Sequence, residues 1–352
     1  MPDERAAALI LAGGHGTRFW PESRAGRPKP LFSIDGKTTL LADTVARTQP
    51  LIARDRIFIL VSAGQAALFR RAAKELIPPC NLIVEPEGRG TTVAIAYGAA
   101  VAGARLGQET VVAVMPADHY MAPAAGFRRT LADAIGIAAA GRAIVVVGVT
   151  PTRAESGYGY QKIGRAAGAG FKVERFVEKP PPPLARRMLK SRKFLWNAGI
   201  FVMRVDTLGA ELNAHAPELA AAMGWLPVLR AGALARAYRR LEFDSFDRVV
   251  AEKSARVLGV RARFRWHDVG SWEGLWEALR GRSANALSGN VIALDAEGVL
   301  ARGGERLMVL LGVSDLIAVD TGDAILIARR SQSQDIRRLT EELRRRGLSR
   351  YL

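Results

Sequence analysis

The chain is short of cysteine, histidine and lysine: of its 352 residues one is Cys, four are His and nine are Lys. The single thiol, Cys80, cannot close an internal disulfide, and such sparing use fits a reducing compartment. Structural or catalytic zinc needs several well-spaced ligands, and the scattered histidines and lone cysteine offer no such spacing. No apolar run approaches the ~18 residues of a membrane helix. The N-terminus, MPDERAAALI, lacks a basic stretch followed by a long apolar core, so no signal peptide is expected and the cytoplasm is the expected location. Acidic residues are also scarce, 34 against 51 basic ones, which leaves a net charge of +17. No basic stretch carries the interleaved aromatics of a single-strand binder, so nucleic acid is not an expected partner. The excess charge reads instead as attraction for anionic substrates. Part of it lies in the tail Arg329 to Arg350, an amphipathic pattern whose arginine face reads as solvated.

What is present is concentrated near the start. Leu11 to Phe32 read LAGGHGTRFWPESRAGRPKPLF, directly after the apolar run Ala7 to Ala12. Gly13, Gly14 and Gly16 leave backbone N–H groups free to close around an anion, and Thr17 and Arg18 follow. Lys29, between Pro28 and Pro30, adds charge on a stiffened loop. This pattern predicts a nucleoside triphosphate site. It is not a Walker A loop, because no lysine follows Gly16 at the required place, and the glycines are not spaced as in a dinucleotide fingerprint.

Length and composition, 49% hydrophobic and 24% charged, allow one large domain and a smaller one. The first half alternates strands (Ala7–Ala12, Arg56–Val61, Asn81–Val84, Val111–Met115, Ala143–Val149) with helices (Thr39–Thr48, Gln65–Leu76, Thr91–Ala104, Gly126–Ala139). That rhythm predicts an α/β fold, Rossmann-like, with helices on both faces of a mostly parallel, mixed sheet. After Pro151 come strands at Tyr158–Ile163, Lys172–Val177 and Gly199–Arg204 and helices at Asp206–Leu212 and Pro217–Leu229. From Ser288 to Ala328 the chain breaks into short strands and turns, and a helix is expected over Gln334–Arg346. The expected domains are 1–284 and 285–352.

Several carboxylates and amides stand where chemistry could use them. Asp118, in MPADHY after a strand, could hold Mg²⁺ or cap a helix. Asp268, in WHDVGSW, sits among aromatics, and the neighbouring His119 and His267 read as supporting or core residues. Glu178 and Lys179 end an apolar strand in FVEKP, where they could bind a sugar and its phosphate or form a surface ion pair. Asn197 in WNAGIF offers an amide to a sugar hydroxyl. Glu85, in EPEGRGTTVAIA ahead of a helix, could accept the adjacent N1–H and N2–H₂ donors of guanine or cap a turn.

The run GGxGTR, WPxSR, PKP resembles the signature of sugar-1-phosphate nucleotidyltransferases, and the Trp20-Pro21 pair resembles their mannose-1-phosphate guanylyltransferase branch. The likeness runs from Ala8 to about Arg346, with five motifs in family order. It implies transfer of GMP from GTP to α-D-mannose 1-phosphate, with Mg²⁺ as cofactor and direct attack on the α-phosphorus. Arg18 and Lys29 are then the catalytic cations; Leu11, Gly13, Gly14, Gly16, Thr17, Arg18, Glu85, Gly90 and Thr91 face the nucleotide; Gly159, Glu178, Lys179 and Asn197 face the sugar phosphate; Asp118 and Asp268 hold the metal. A left-handed β-helix is implied for the C-terminal domain, and analogy offers self-association there as a homodimer. The chain departs from the family's usual GRNTAPAIA at Gly90, Thr92 and Val93, and has Phe19 and Glu22 where leucines are common. Another sugar 1-phosphate, such as a heptose or glucose 1-phosphate, or another nucleotide is the nearest alternative. A non-catalytic sugar-nucleotide-sensing subunit should lack Lys29, Asp118 or Asp268, and all three are present.

Overall fold

The computed structural model describes residues 3–13, 17–24, 26–34, 36–223, 231–281 and 283–352. Two compact units emerge, and neither is a continuous stretch of chain. The larger holds Met1–Gly13, Val45–Pro116 and Met121–Arg265; the other holds Gly14–Thr44, Ala117–Tyr120 and Trp266–Leu352.

The larger unit is built on a nine-stranded sheet. Leu82–Glu85, Ile57–Ser62, Ala6–Leu11 and Val111–Pro116 lie side by side and parallel. These runs are short and almost wholly apolar, as strands covered on both faces must be. Phe194–Arg204 comes next and runs antiparallel to both its neighbours, Val111–Pro116 and Ile144–Val149. Val257–Arg261 then pairs in parallel with Ile144–Val149, and Gly170–Val177 and Tyr160–Ala167 complete the order. The sheet is therefore mixed, as the strands after Pro151 foreshadow. Its longest helices among the described residues are Thr91–Leu106, whose small residues are buried from Thr92 to Gly103, Ala124–Ala140 and Val205–His215.

Three local differences from the sequence reading have physical causes. The helix expected to reach Leu76 ends at Ala72 and loosens into turns before Pro78 and Pro79, which cannot extend it. The strand expected from Gly199 begins at Phe194, so WNAGIF lies inside it. Its register against Ile144–Val149 shifts between Val146 and Gly148, and Gly199 at φ +70° takes up the bulge. The helix expected over Pro217–Leu229 is seen as Pro217–Met223; the positions after it, 224–230, lie outside the described residues.

In the smaller unit, Ala286–Ser288, Leu300–Arg302 and Leu316–Asp320 stack in parallel, and Ile325–Arg329 closes the sheet antiparallel. Val291–Leu294 and Met308–Leu311 form a second parallel pair. Successive turns of chain laying short strands in two parallel stacks make a β-helix-like coil. Its filling includes Leu300, Ile317, Val319 and Leu326, which cluster with Phe19, Trp20, Phe32 and Trp272. The last helix, Ile336–Arg345, buries Ile336 and Thr340 and leaves Arg337, Arg338, Arg344 and Arg345 exposed. Among the described residues, no helix is long and apolar enough to cross a membrane.

Candidate active site

Within the smaller unit, three separate segments converge on one ammonium group. Lys29 sits in a single helical turn, Lys29–Leu31, flanked by prolines that fix its backbone, and only 7% of it is exposed. Its Nζ donates to Asp118 Oδ2 at 2.8 Å and to the backbone oxygen of Asp268 at 2.8 Å. Burial pushes the Asp118 carboxyl up, but the Lys29 charge, helped by His119 and the hydrogen bond from Lys29, outweighs it and holds the group below its ordinary value. The Asp268 carboxylate is close enough to oppose that shift. Arg18 reaches the same corner, its Nη1 lying 3.5 Å from where a Cβ on Gly270 would stand.

The turn that presents Asp268 is strained. Val269 has φ +45° and is fully buried. A β-branched residue adopts that backbone only where its surroundings impose it. Gly270 N–H donates to Asp268 Oδ1 at 3.2 Å, and Val269 N–H donates to His267 Nδ1 at 3.0 Å. His267 Nε2 pairs with Glu277 Oε2 at 3.0 Å, and Trp266 Nε1 donates to His119 Nδ1 at 3.1 Å. His267 thus braces the backbone of the turn after Asp268, and His119 is held by the Trp266 indole. No group of three or more His, Cys, Asp or Glu side chains suited to a metal occurs among the described residues. Mg²⁺ asks for less, one or two carboxylates plus water and phosphate oxygens, and the pair Asp118 and Asp268 fits that need.

The larger unit carries two further groups. Glu85 ends the strand Leu82–Glu85 and is 5% exposed. Its Oε2 accepts from Tyr238 Oη at 3.0 Å, and Oε1 lies 3.4 Å from where a Cβ on Gly13 would be. Burial raises the Glu85 carboxyl to about 7, against the lowering effect of the Tyr238 hydrogen bond. Gly90, at φ +89°, lies so close to the backbone oxygen of Phe243 that a Cβ would collide with it. The hydroxyl of Thr91 accepts from Phe246 N–H at 3.0 Å, and Thr92 donates to Asp244 O at 2.6 Å. Gly90, Thr91 and Thr92 thus seat the helix start on residues 243–246.

The second group gathers around Gly159. A Cβ there would lie 2.7 Å from Glu178 Oε2 and 3.3 Å from Asn197 Cβ, so a side chain would push both from their present positions. The preceding strand stops at Val177, and Lys179 turns left-handed at φ +47°. That turn breaks strand alternation and lets Lys179 Nζ come within 3.3 Å of Glu178 Oε1. Asn197 Nδ2 donates to Asp247 Oδ1 at 2.7 Å, and its Oδ1 accepts from Gly199 N–H at 3.2 Å, which sets the amide's orientation. Burial, then the nearby Glu178 charge, raises Asp247 to about 7. Glu252 Oε1 accepts the Glu178 backbone N–H at 2.6 Å. Asp247 and Glu252 escaped the sequence reading, as did Tyr238. Asp247 had one signal, a carboxylate in the apolar stretch FDRVVA, and it opens a π-helical turn, Asp247–Ala251, of a kind frequent at functional sites. Gly14 and Gly16, and the side chain of Thr17, lie outside the described residues; Leu11 closes the first strand.

The Nucleotidyl transferase profile matches residues 7–284. The chain belongs to that family. A second profile, the MannoseP isomerase/GMP-like beta-helix domain, matches residues 289–343. The Xanthan biosynthesis protein XanB of Xanthomonas campestris pv. campestris is 33% identical over 97% of this chain and 74% of its own length. A mannose-1-phosphate guanylyltransferase of Salmonella montevideo is 32% identical over 96% of this chain and 73% of its own. A solved structure of a mannose-1-phosphate geranyltransferase from Thermus thermophilus superposes with a TM-score of 0.88, at 32% identity, covering 97% of this chain and 99% of that one. The chain is therefore an enzyme of the nucleotidyltransferase type, with its relatives among the mannose-1-phosphate guanylyltransferases.

Proposed function

We propose that the chain transfers GMP from GTP to α-D-mannose 1-phosphate, forming GDP-mannose and pyrophosphate. The observation that carries this reading is the meeting of Lys29 with Asp118 and Asp268, an arrangement suited to polyphosphate rather than to a neutral ligand. The names of the relatives support mannose 1-phosphate as acceptor and guanine as base.

A sugar phosphate is anionic at neutral pH, so its attack needs no general base. One of its oxygens bonds to the α-phosphorus while the bond from that phosphorus to the bridging oxygen breaks, the electron pair leaving with pyrophosphate. The protein's task is to align two anions that repel each other and to neutralise charge as it builds. Arg18 and Lys29 hold the triphosphate, with Lys29 steadying the charge at the α-phosphate. Asp118 and Asp268 would hold Mg²⁺, which would supply further positive charge to the phosphates. Lys179 takes the attacking phosphate, and Glu178, Asn197 and the Gly159 backbone take sugar hydroxyls. Glu85 accepts the guanine donors.

Pyrophosphate release from the four common nucleoside triphosphates, crossed with hexose and heptose 1-phosphates, tests the reading. GTP with mannose 1-phosphate is expected to lead any other pair by at least about tenfold in kcat/KM. Preference for another pair would move the specificity and keep the reaction; no release with any pair would end the proposal.

Glu85→Gln should act in two opposed directions. The folded-state carboxyl is raised from 4.5 to about 7, so the folded protein holds that proton more tightly than the unfolded chain does. Stability therefore falls as pH climbs from 4.5 towards 7, and the full penalty stands above that. The glutamine removes the penalty: at pH about 8 the variant should gain on the order of 2 kcal/mol, with almost no gain near pH 4. Its KM for GTP should rise about tenfold through the lost charged acceptor. Melting curves at the two pH values and nucleotide titrations check both halves, and an unchanged KM would remove Glu85 from base recognition.

A further inference from the structure

Arg302 is far in sequence from every residue assigned to chemistry, yet it is a buried cation with every donor group satisfied. It lies in the strand Leu300–Arg302 of the β-helix-like coil and is 8% exposed. Its Nε and Nη2 donate to the two carboxylate oxygens of Glu22, at 2.6 and 3.2 Å. Nη1 donates to Ile34 O at 2.6 Å and Nη2 to Ser33 O at 2.7 Å. Nη1 also lies 3.5 Å from Ser288 Oγ, and the guanidinium stands 4.8 Å from the centre of the Phe32 ring. Five donors thus meet five acceptors in the planar fork that only arginine provides.

The positions held are informative. Glu22 lies seven residues before Lys29, and Ser33 and Ile34 lie four and five after it. One side chain therefore clamps both ends of the loop that carries Lys29. A buried carboxylate unmatched by a cation would be costly, so Glu22 and Arg302 stand or fall together. Two more bonds reinforce the loop: Trp272 Nε1 donates to Trp20 O at 3.1 Å, and Trp20 Nε1 donates to Tyr351 O at 2.7 Å.

We propose that Arg302 is a positioning residue for nucleotidyl transfer, holding the loop from Glu22 to Ile34 so that the Lys29 ammonium is set for the triphosphate. The small β-helix-like coil then has a part in catalysis as the rigid support of a catalytic loop. Displacing a charged group by about 1 Å costs on the order of 10² in rate. The inference rests on the role of Lys29 given above.

The test is a double-mutant cycle between Arg302→Met and Lys29→Ala, read by steady-state pyrophosphate release with the substrate pair that the unaltered enzyme prefers. Arg302→Met should lower kcat by about 10- to 100-fold and shift the KM of both substrates by less than about threefold. Combined with Lys29→Ala it should add almost nothing, because the loss already runs through Lys29. Arg302→Lys, which keeps the charge and not the fork, should recover only part of the rate. If Arg302→Met does not fold, the Glu22→Leu/Arg302→Leu pair replaces it, since exchanging both buried charges for apolar groups preserves packing. A normal kcat in a folded variant, or losses that multiply across the cycle, would overturn the proposal. Failure of the functional reading shows elsewhere, in the unaltered enzyme turning over a different substrate pair or none.

Discussion

Lys29→Ala is expected to lower kcat by about 10²- to 10³-fold, the usual cost of removing one charged donor aimed at developing negative charge. Lys29 has two hydrogen-bonded partners in the smaller unit, and both come from the segments proposed to carry the metal. Loss of its charge therefore touches the triphosphate and Asp118 at once. The second effect has a separate readout. Asp118 now titrates below its ordinary 3.8, chiefly because Lys29 overcomes the cost of burial. A depressed carboxyl stabilises the fold above that value, and the stability is lost as pH falls through the folded-state value. Without Lys29 that contribution disappears, so acid unfolding of the variant should begin at higher pH. Pyrophosphate release and acid titration of the fold check the two halves. Near-normal turnover would remove Lys29 from catalysis.

Trp272→Ala should cost about 3–5 kcal/mol of stability, the range for a fully buried large aromatic. Its side chain is 0% exposed, with its ring 5.0 Å from Phe19 and 6.1 Å from Phe32. The indole N–H donates to Trp20 O, so truncation also leaves a buried carbonyl short of its donor. Because Phe19, Trp20 and Phe32 flank Arg18 and Lys29, activity should fall at temperatures where the variant is still mostly folded. Urea or thermal unfolding measures the first effect. A loss under about 1 kcal/mol would mean that the cluster collapses around the gap.

The sequence was most informative where chemistry and local geometry coincide. Apolar runs such as AALIL and VVAVM have few conformations other than strands, and their lengths and order specify a sheet with helical crossovers. PKP reads as a stiff, charged loop because proline fixes its own backbone wherever it occurs. Gly90 and Gly159 are assigned to the nucleotide and the sugar phosphate only through the family resemblance, since what crowds a side chain there is a partner far along the chain: Phe243 in one case, Glu178 and Asn197 in the other. The same holds for Asp247, whose meaning comes from the Asn197 amide fifty residues away.

By itself, then, the sequence determined the run of strands and helices, the glycine-rich stretch after the first strand and the candidate charges Arg18, Lys29, Asp118 and Asp268, because residue type and spacing act locally. Tertiary structure alone decided which of them meet. Lys29 bonds to Asp118 and Asp268 across 89 and 239 residues, and Glu22 pairs with Arg302 across 280. A buried charge must find its counter-charge wherever the fold can deliver one, and nothing in the local sequence says where that will be.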